Sequence, residues 1–99
     1  MSFRVRYTRG ARDDLKRLFT FLAERDVAAA KRARRAISKS MGLLAEFPWS
    51  CRKAKNDNPF LRELVISFGS GGYVALFEIE DAHNITILAI RHQREDDFT

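Results

Sequence analysis

Arginine and histidine are the side chains of this 99-residue chain best suited to handle a phosphate and a proton. Arg62 and Arg91 are candidate clamps, because a guanidinium fork matches phosphate oxygens two at a time. His92 is a candidate acid or base, because imidazole titrates near neutrality. Glu46, Lys53 and Lys55 are further polar candidates. Spacing limits the combination. In a regular strand Arg91 and His92 point to opposite faces, unless the strand ends or bulges there. Each residue also has a structural reading. Arg62 opens a strand and can pair locally, for instance with Asp57; His92 can anchor the tail by a hydrogen bond; Glu46 can be a solvated helix-end carboxylate. Cys51 is the single cysteine, so no internal disulfide can form. Its basic loop could lower the thiol pKa, but no base stands near it in sequence. With only His83 and His92 beside it, the chain offers too few ligands for a structural zinc site, and neither metal nor cofactor is expected.

Positioning such residues requires a fold, and the composition bounds it. The chain is one domain's worth, residues 1–99, with 45% hydrophobic and 31% charged residues, as in an ordinary globular protein. No apolar run approaches the roughly 18 residues of a membrane span, and the basic N-terminus lacks the apolar stretch of a secretory signal. A reducing, cytoplasmic setting is expected. Charge is unevenly spread. Residues 1–62 carry 16 basic and 6 acidic side chains, net +10, whereas residues 63–99 carry 2 and 7, net −5. A basic surface of this kind attracts polyanions.

Hydrophobic periodicity gives the elements. Phe3 to Thr8 alternates as a half-buried strand, broken by Gly10. Leu15, Leu18, Phe19 and Leu22 fall at i, i+3, i+4 and i+7, which predicts a helix from Ala11 to Glu24 with Asp13 and Asp14 in its first turn. Asp26 can cap a second helix running to Phe47, with Ala30, Ala33, Ile37, Met41 and Leu44 inward and Arg32, Arg34, Arg35 and Lys39 as a basic stretch. Pro48 ends it. Trp49 to Pro59 reads as a basic loop, with Trp49 capping a core edge. Leu61–Phe68, Tyr73–Glu80 and Ile85–His92 read as strands, joined by hairpin turns at 69–72 and 81–84. The short connection at Asp26 makes the helices an antiparallel hairpin. The expected result is a two-layer α+β domain of order β-α-α-β-β-β, a mainly antiparallel sheet packed against a helical hairpin.

That order resembles the RelE/ParE superfamily of bacterial type II toxins. The carrying residues are Ala11-Arg12-Asp13-Asp14-Leu15, like the family's A-x-x-D-L; Leu44 to Pro48, similar to L-x-x-x-P; Leu61-Arg62-Glu63-Leu64, matching L-R-E-L; Ala75 to Ile79, like the central strand; and Ile87 to Arg94, like the closing I-L-x-V-x-H-x-R-R-D. The resemblance implies a toxin neutralised by a cognate antitoxin, with which it would form a hetero-oligomer. It implies one of two activities: poisoning DNA gyrase, or cutting messenger RNA on the ribosome. The second would be a metal-independent cleavage through the ribose 2′-hydroxyl, needing a base, an acid and phosphate-binding cations, here Arg62, Arg91 and His92. Phe98 stands where some messenger-cleaving members carry a tyrosine, and His92 to Asp96 reads more like the gyrase-directed branch. A toxin-fold protein that has lost its activity is the third alternative. Arg52, Lys53, Lys55 and Arg94 are candidate contacts to the target or to RNA.

The sheet carries a further expectation. Val65, Ser67, Val74, Leu76, Thr86 and Leu88 alternate onto one face, and Leu64, Ile66, Ala75, Phe77, Ile85 and Ile87 onto the other. Two apolar faces exceed what one helical hairpin covers, so Val65, Val74, Leu76 and Leu88 are the expected antitoxin-binding residues.

Overall fold

The computed structural model describes residues 2–54, 57–69 and 71–93. Strand β1 (Arg4–Tyr7) leads into helices α1 (Arg9–Arg25) and α2 (Val27–Glu46), then a 3-10 turn over Pro48–Ser50 and the short strand β2 (Arg52–Lys53). Strands β3 (Leu61–Phe68), β4 (Gly71–Ile79) and β5 (Asn84–His92) follow. The five strands form one sheet in the order β1-β5-β4-β3-β2, with β1 parallel to β5 and the other pairs antiparallel. This is the expected α+β domain with one added strand. β2 lies in the stretch expected to be a loop; its two residues are too few for alternation to show in sequence, and they are held by pairing with Glu63 and Arg62.

Both helices begin on a side-chain cap. The Thr8 hydroxyl accepts from the Ala11 N–H at 3.1 Å, and the Asp26 carboxylate accepts from the Ala29 N–H at 3.2 Å. The Thr8 cap starts α1 two residues earlier than its apolar stripe indicates. Gly10 is therefore helical, and Asp13 and Asp14 lie beyond the first turn, which holds no acid. Asp26 also closes α1, its N–H donating to Leu22 at 2.7 Å, so one residue serves both helices and forces the tight hairpin.

The hairpin covers one face of the sheet. Ala11 and Leu18 of α1 and Ala33, Ile37, Met41 and Leu44 of α2 pack on Ile66, Tyr73, Ala75, Phe77, Ile79, Ile85, Ile87 and Ile90. Ala30, expected inward, is only half-buried. Among the described residues no polar or charged side chain is buried in this core. At the β3–β4 turn Gly69 has φ +60°, a left-handed geometry that favours glycine. Gly72, expected in the turn, is the second residue of β4, where a side chain would run into the Ile66 carbonyl.

β5 departs from regular alternation. Phe77 of β4 stands opposite Ile87 and Leu76 opposite Ala89, so Leu88 is an extra residue in a β-bulge. β1 has ended by this point, and α1 meets the β5 backbone instead. The Thr8 N–H donates to the Ile87 carbonyl at 3.0 Å, the Thr8 hydroxyl to the Leu88 carbonyl at 3.2 Å, and the Ile90 N–H donates to the Asp14 carboxylate at 3.0 Å. Asp14 is the aspartate of the A-x-x-D-L stretch; here it pins a helix to an irregular strand. Replacing it with alanine leaves a part-buried N–H without its acceptor. Chemical denaturation of Asp14→Ala is expected to show a loss of about 1–3 kcal/mol.

Candidate functional site

The register divides the chemistry-bearing residues between the two sheet faces. Without the bulge, Arg91 would follow Ile87 onto the helix-covered face and His92 would point away. With it, Ile90 enters the core and His92 stands opposite Tyr73 on the covered face. Arg91, opposite Val74, lies exposed on the other face. The expected opposition of Arg91 and His92 therefore holds. His92 sets its ring edge-on to Tyr73, with centroids 5.7 Å apart, and Tyr73 stacks on Phe68 at 6.0 Å. Burial raises the Tyr73 phenol pKa.

Arg62 is committed elsewhere. Its Nε donates to the Pro59 carbonyl at 2.9 Å, and one terminal nitrogen donates to the carbonyls of Cys51 at 2.8 Å and Trp49 at 3.2 Å. The guanidinium also lies 5.1 Å from the Trp49 ring centroid. This local clasp ties β3 to the turn and to β2. Its partners are backbone carbonyls, which no residue-type reading could have selected over Asp57. Arg62, Arg91 and His92 do not converge. Arg62 and Arg91 are on opposite faces and in register with different β4 residues, Phe77 and Val74.

Of the expected target contacts, Arg52 pairs with Glu63 at 2.9 Å and Lys53 is exposed. Lys55 and Arg94 lie outside the described residues. Glu46 accepts a hydrogen bond from the Ser2 hydroxyl, which ties the start of the chain to the end of α2. Burial pushes the Cys51 thiol pKa up, an effect larger than the lowering by Arg62, which reverses the lowered pKa that a basic loop suggests.

Away from the helices, Val65 is 43% exposed, Leu76 and Leu88 are half-buried, and Val74 is 8% exposed. Leu88 has no β4 partner; Ala89 takes the position opposite Leu76. A second apolar surface lies at the end of α2 and around the turn that follows it. Phe47 is 64%, Trp49 50% and Phe60 49% exposed, and the Trp49 and Phe60 rings meet edge-on at 5.8 Å. Phe3, Trp49, Phe60, Ile79, Asp81 and Ala82 line a recess of about 400 Å³. The available signal was the pair of aromatics flanking the polar stretch from Cys51 to Pro59. Among the described residues no group of His, Cys, Asp and Glu could hold a metal ion, and no helix is long and apolar enough to cross a membrane.

A helical hairpin on one face of a five-stranded, mainly antiparallel sheet is shared with a solved structure, "Chromosomal ParDE TA system from P. aeruginosa". The similarity has a TM-score of 0.69 at 18% identity and covers 92% of this chain and 96% of that one. The chain belongs to the family described as "ParE toxin of type II toxin-antitoxin system, parDE", whose model matches residues 5–97. No curated protein matches it. It is thus a type II toxin–antitoxin toxin of the RelE/ParE superfamily, on the ParE side.

The Arg62 clasp is testable through Trp49, the single tryptophan. Arg62→Ala removes three hydrogen bonds and the cation above the indole. A red-shifted emission and a stability loss of about 1–3 kcal/mol are expected. Lysine should recover little, since one ammonium cannot reproduce the planar fork.

Proposed function

We propose that this protein arrests growth by binding and poisoning DNA gyrase, in the cytoplasm, and that a cognate antitoxin neutralises it in a hetero-oligomer. The observation that carries the choice of target is the separation of Arg62, Arg91 and His92. Cleavage at a ribose 2′-hydroxyl needs base, acid and phosphate clamp around one phosphate. Here one arginine is spent on carbonyls, the other points away from the histidine, and the histidine packs on Tyr73. Binding makes no such demand. It needs surface groups, and Arg52, Lys53, Lys55 and Arg94 are the proposed target contacts.

The antitoxin reading rests on the sheet face away from the helices, although Val74, expected among its contact residues, is buried. Val65, Leu76 and Leu88 offer apolar area there, with Val74 beneath them as a buried floor. An amphipathic segment laid across this face would bury that area and leave both helices free. Its docking there would cover Arg91 as well.

Purified protein is incubated with bacterial gyrase and plasmid DNA, and supercoiling and trapped cleavage complexes are followed. Double-strand breaks that excess antitoxin prevents are the expected result, and His92→Ala, if folded, should still produce them. Full gyrase activity at concentrations that arrest growth would contradict the proposal. Messenger cleavage on ribosomes, lost in His92→Ala, would then establish the RelE-like nuclease instead.

A further inference from the structure

Helix α2 carries Lys31, Arg32, Arg34, Arg35 and Lys39, with no carboxylate between Asp26 and Glu46. Its buried residues, Ala33, Ile37, Met41 and Leu44, face the sheet. Arg32, Arg35 and Lys39, at i, i+3 and i+7, therefore form one stripe on the solvent side. Every exposed position from Lys31 to Lys39 is polar, namely the five cations and Ser38. Among the described residues Arg32 lies 4.0 Å from Asp26, and Arg34 lies 5.4 Å from the Phe19 ring centroid. α1 adds exposed Arg9, Arg12 and Lys16 with the same spacing, with Asp13 as the exposed carboxylate beside them.

The composition of this face selects among polyanions. A protein interface is centred on buried apolar or aromatic anchors, and the stretch from Lys31 to Lys39 exposes none; the exposed Val27 and Leu43 of α2 lie beyond its two ends, and the exposed Phe21 of α1 sits under Arg25. A phosphate backbone needs no anchor, because its binding is driven by release of condensed counterions. Seven residues of helix span about 10 Å, along which duplex DNA presents about six phosphate charges. Arginines suit those oxygens by their planar fork. We infer that the outer face of the α1–α2 hairpin binds the phosphate backbone of duplex DNA without reading its sequence. This face is opposite the one proposed for the antitoxin, so both can be occupied together. The inference rests on the gyrase reading for its setting alone: the hairpin would hold the toxin on the DNA that gyrase carries.

The test uses fluorescence anisotropy of a labelled mixed-sequence duplex, without gyrase, over a salt series. The logarithm of the binding constant should fall linearly with that of salt concentration. R32Q/R35Q/K39Q should flatten the slope by about 2.7, three phosphates' worth. Its circular dichroism should not change, since glutamine is a good helix former. R4Q/R6Q, which removes two sheet-side cations, should leave the slope alone. No wild-type binding at low salt, or an unchanged slope in the triple variant, overturns the inference. So does displacement of DNA by poly-glutamate at equal charge concentration, which would assign the face to an acidic protein. DNA binding together with a negative gyrase assay would remove the gyrase reading and leave this inference standing.

Discussion

One extra residue in β5 decides which side chains can act together. The bulge at Leu88 turns Ile90 into the core, sets His92 against Tyr73 and sends Arg91 out to the open face. It is stable because α1 supplies what the ladder lacks: the Thr8 hydroxyl donates to Leu88, and the Asp14 carboxylate accepts from Ile90. The same Thr8 hydroxyl accepts from Ala11 as the cap of α1. Helix start and strand irregularity are thus fixed by common groups. A regular β5 would place Arg91 on the face that Arg62 occupies, and with it the beginnings of a phosphate clamp. The bulge forecloses that arrangement.

The helical layer carries unbalanced cations, beside the exposed Phe21, Val27 and Leu43. Burial of Ala33, Ile37, Met41 and Leu44 against the sheet obliges the cations between them to face solvent, so a basic layer is a consequence of core packing as much as of composition. The open sheet face is mixed. Arg6 and the Thr86 hydroxyl both meet Glu80, and Arg52 meets Glu63, so its charges are largely balanced around the apolar strip of Val65 and Leu76. A balanced, partly apolar face suits a folded protein segment, and a stretch of unbalanced cations suits a polyanion.

Much of this fold was legible because strong periodicity and caps agree. The strand-like run Leu61–Phe68, bounded by the turn at Gly69, coincides with β3, and Asp26 is the hinge of the hairpin as expected. Three things were hidden. The bulge leaves no mark in a run as uniformly apolar as Ile87 to Ile90, where every register looks alike. β2 exists only through its pairing with β3. The Arg62 partners are carbonyls of Cys51, Trp49 and Pro59, which become neighbours only once the intervening chain has turned. The separation of Arg91 from His92 by alternation was readable, although which of the two faces the core depended on the bulge. The L-R-E-L and A-x-x-D-L stretches marked the right places; for Arg62 and Asp14 the structure gives roles in backbone fixation.

The most direct test of this account is amide hydrogen exchange at Ile90. The bond to Asp14 makes the bulge a fixed element of the native sheet, so the Ile90 amide should be as strongly protected as the ladder amides of β4 and β5. Exchange at the rate of an open loop would contradict it. β5 would then be free to change register, and Arg91 could return to the face of Arg62.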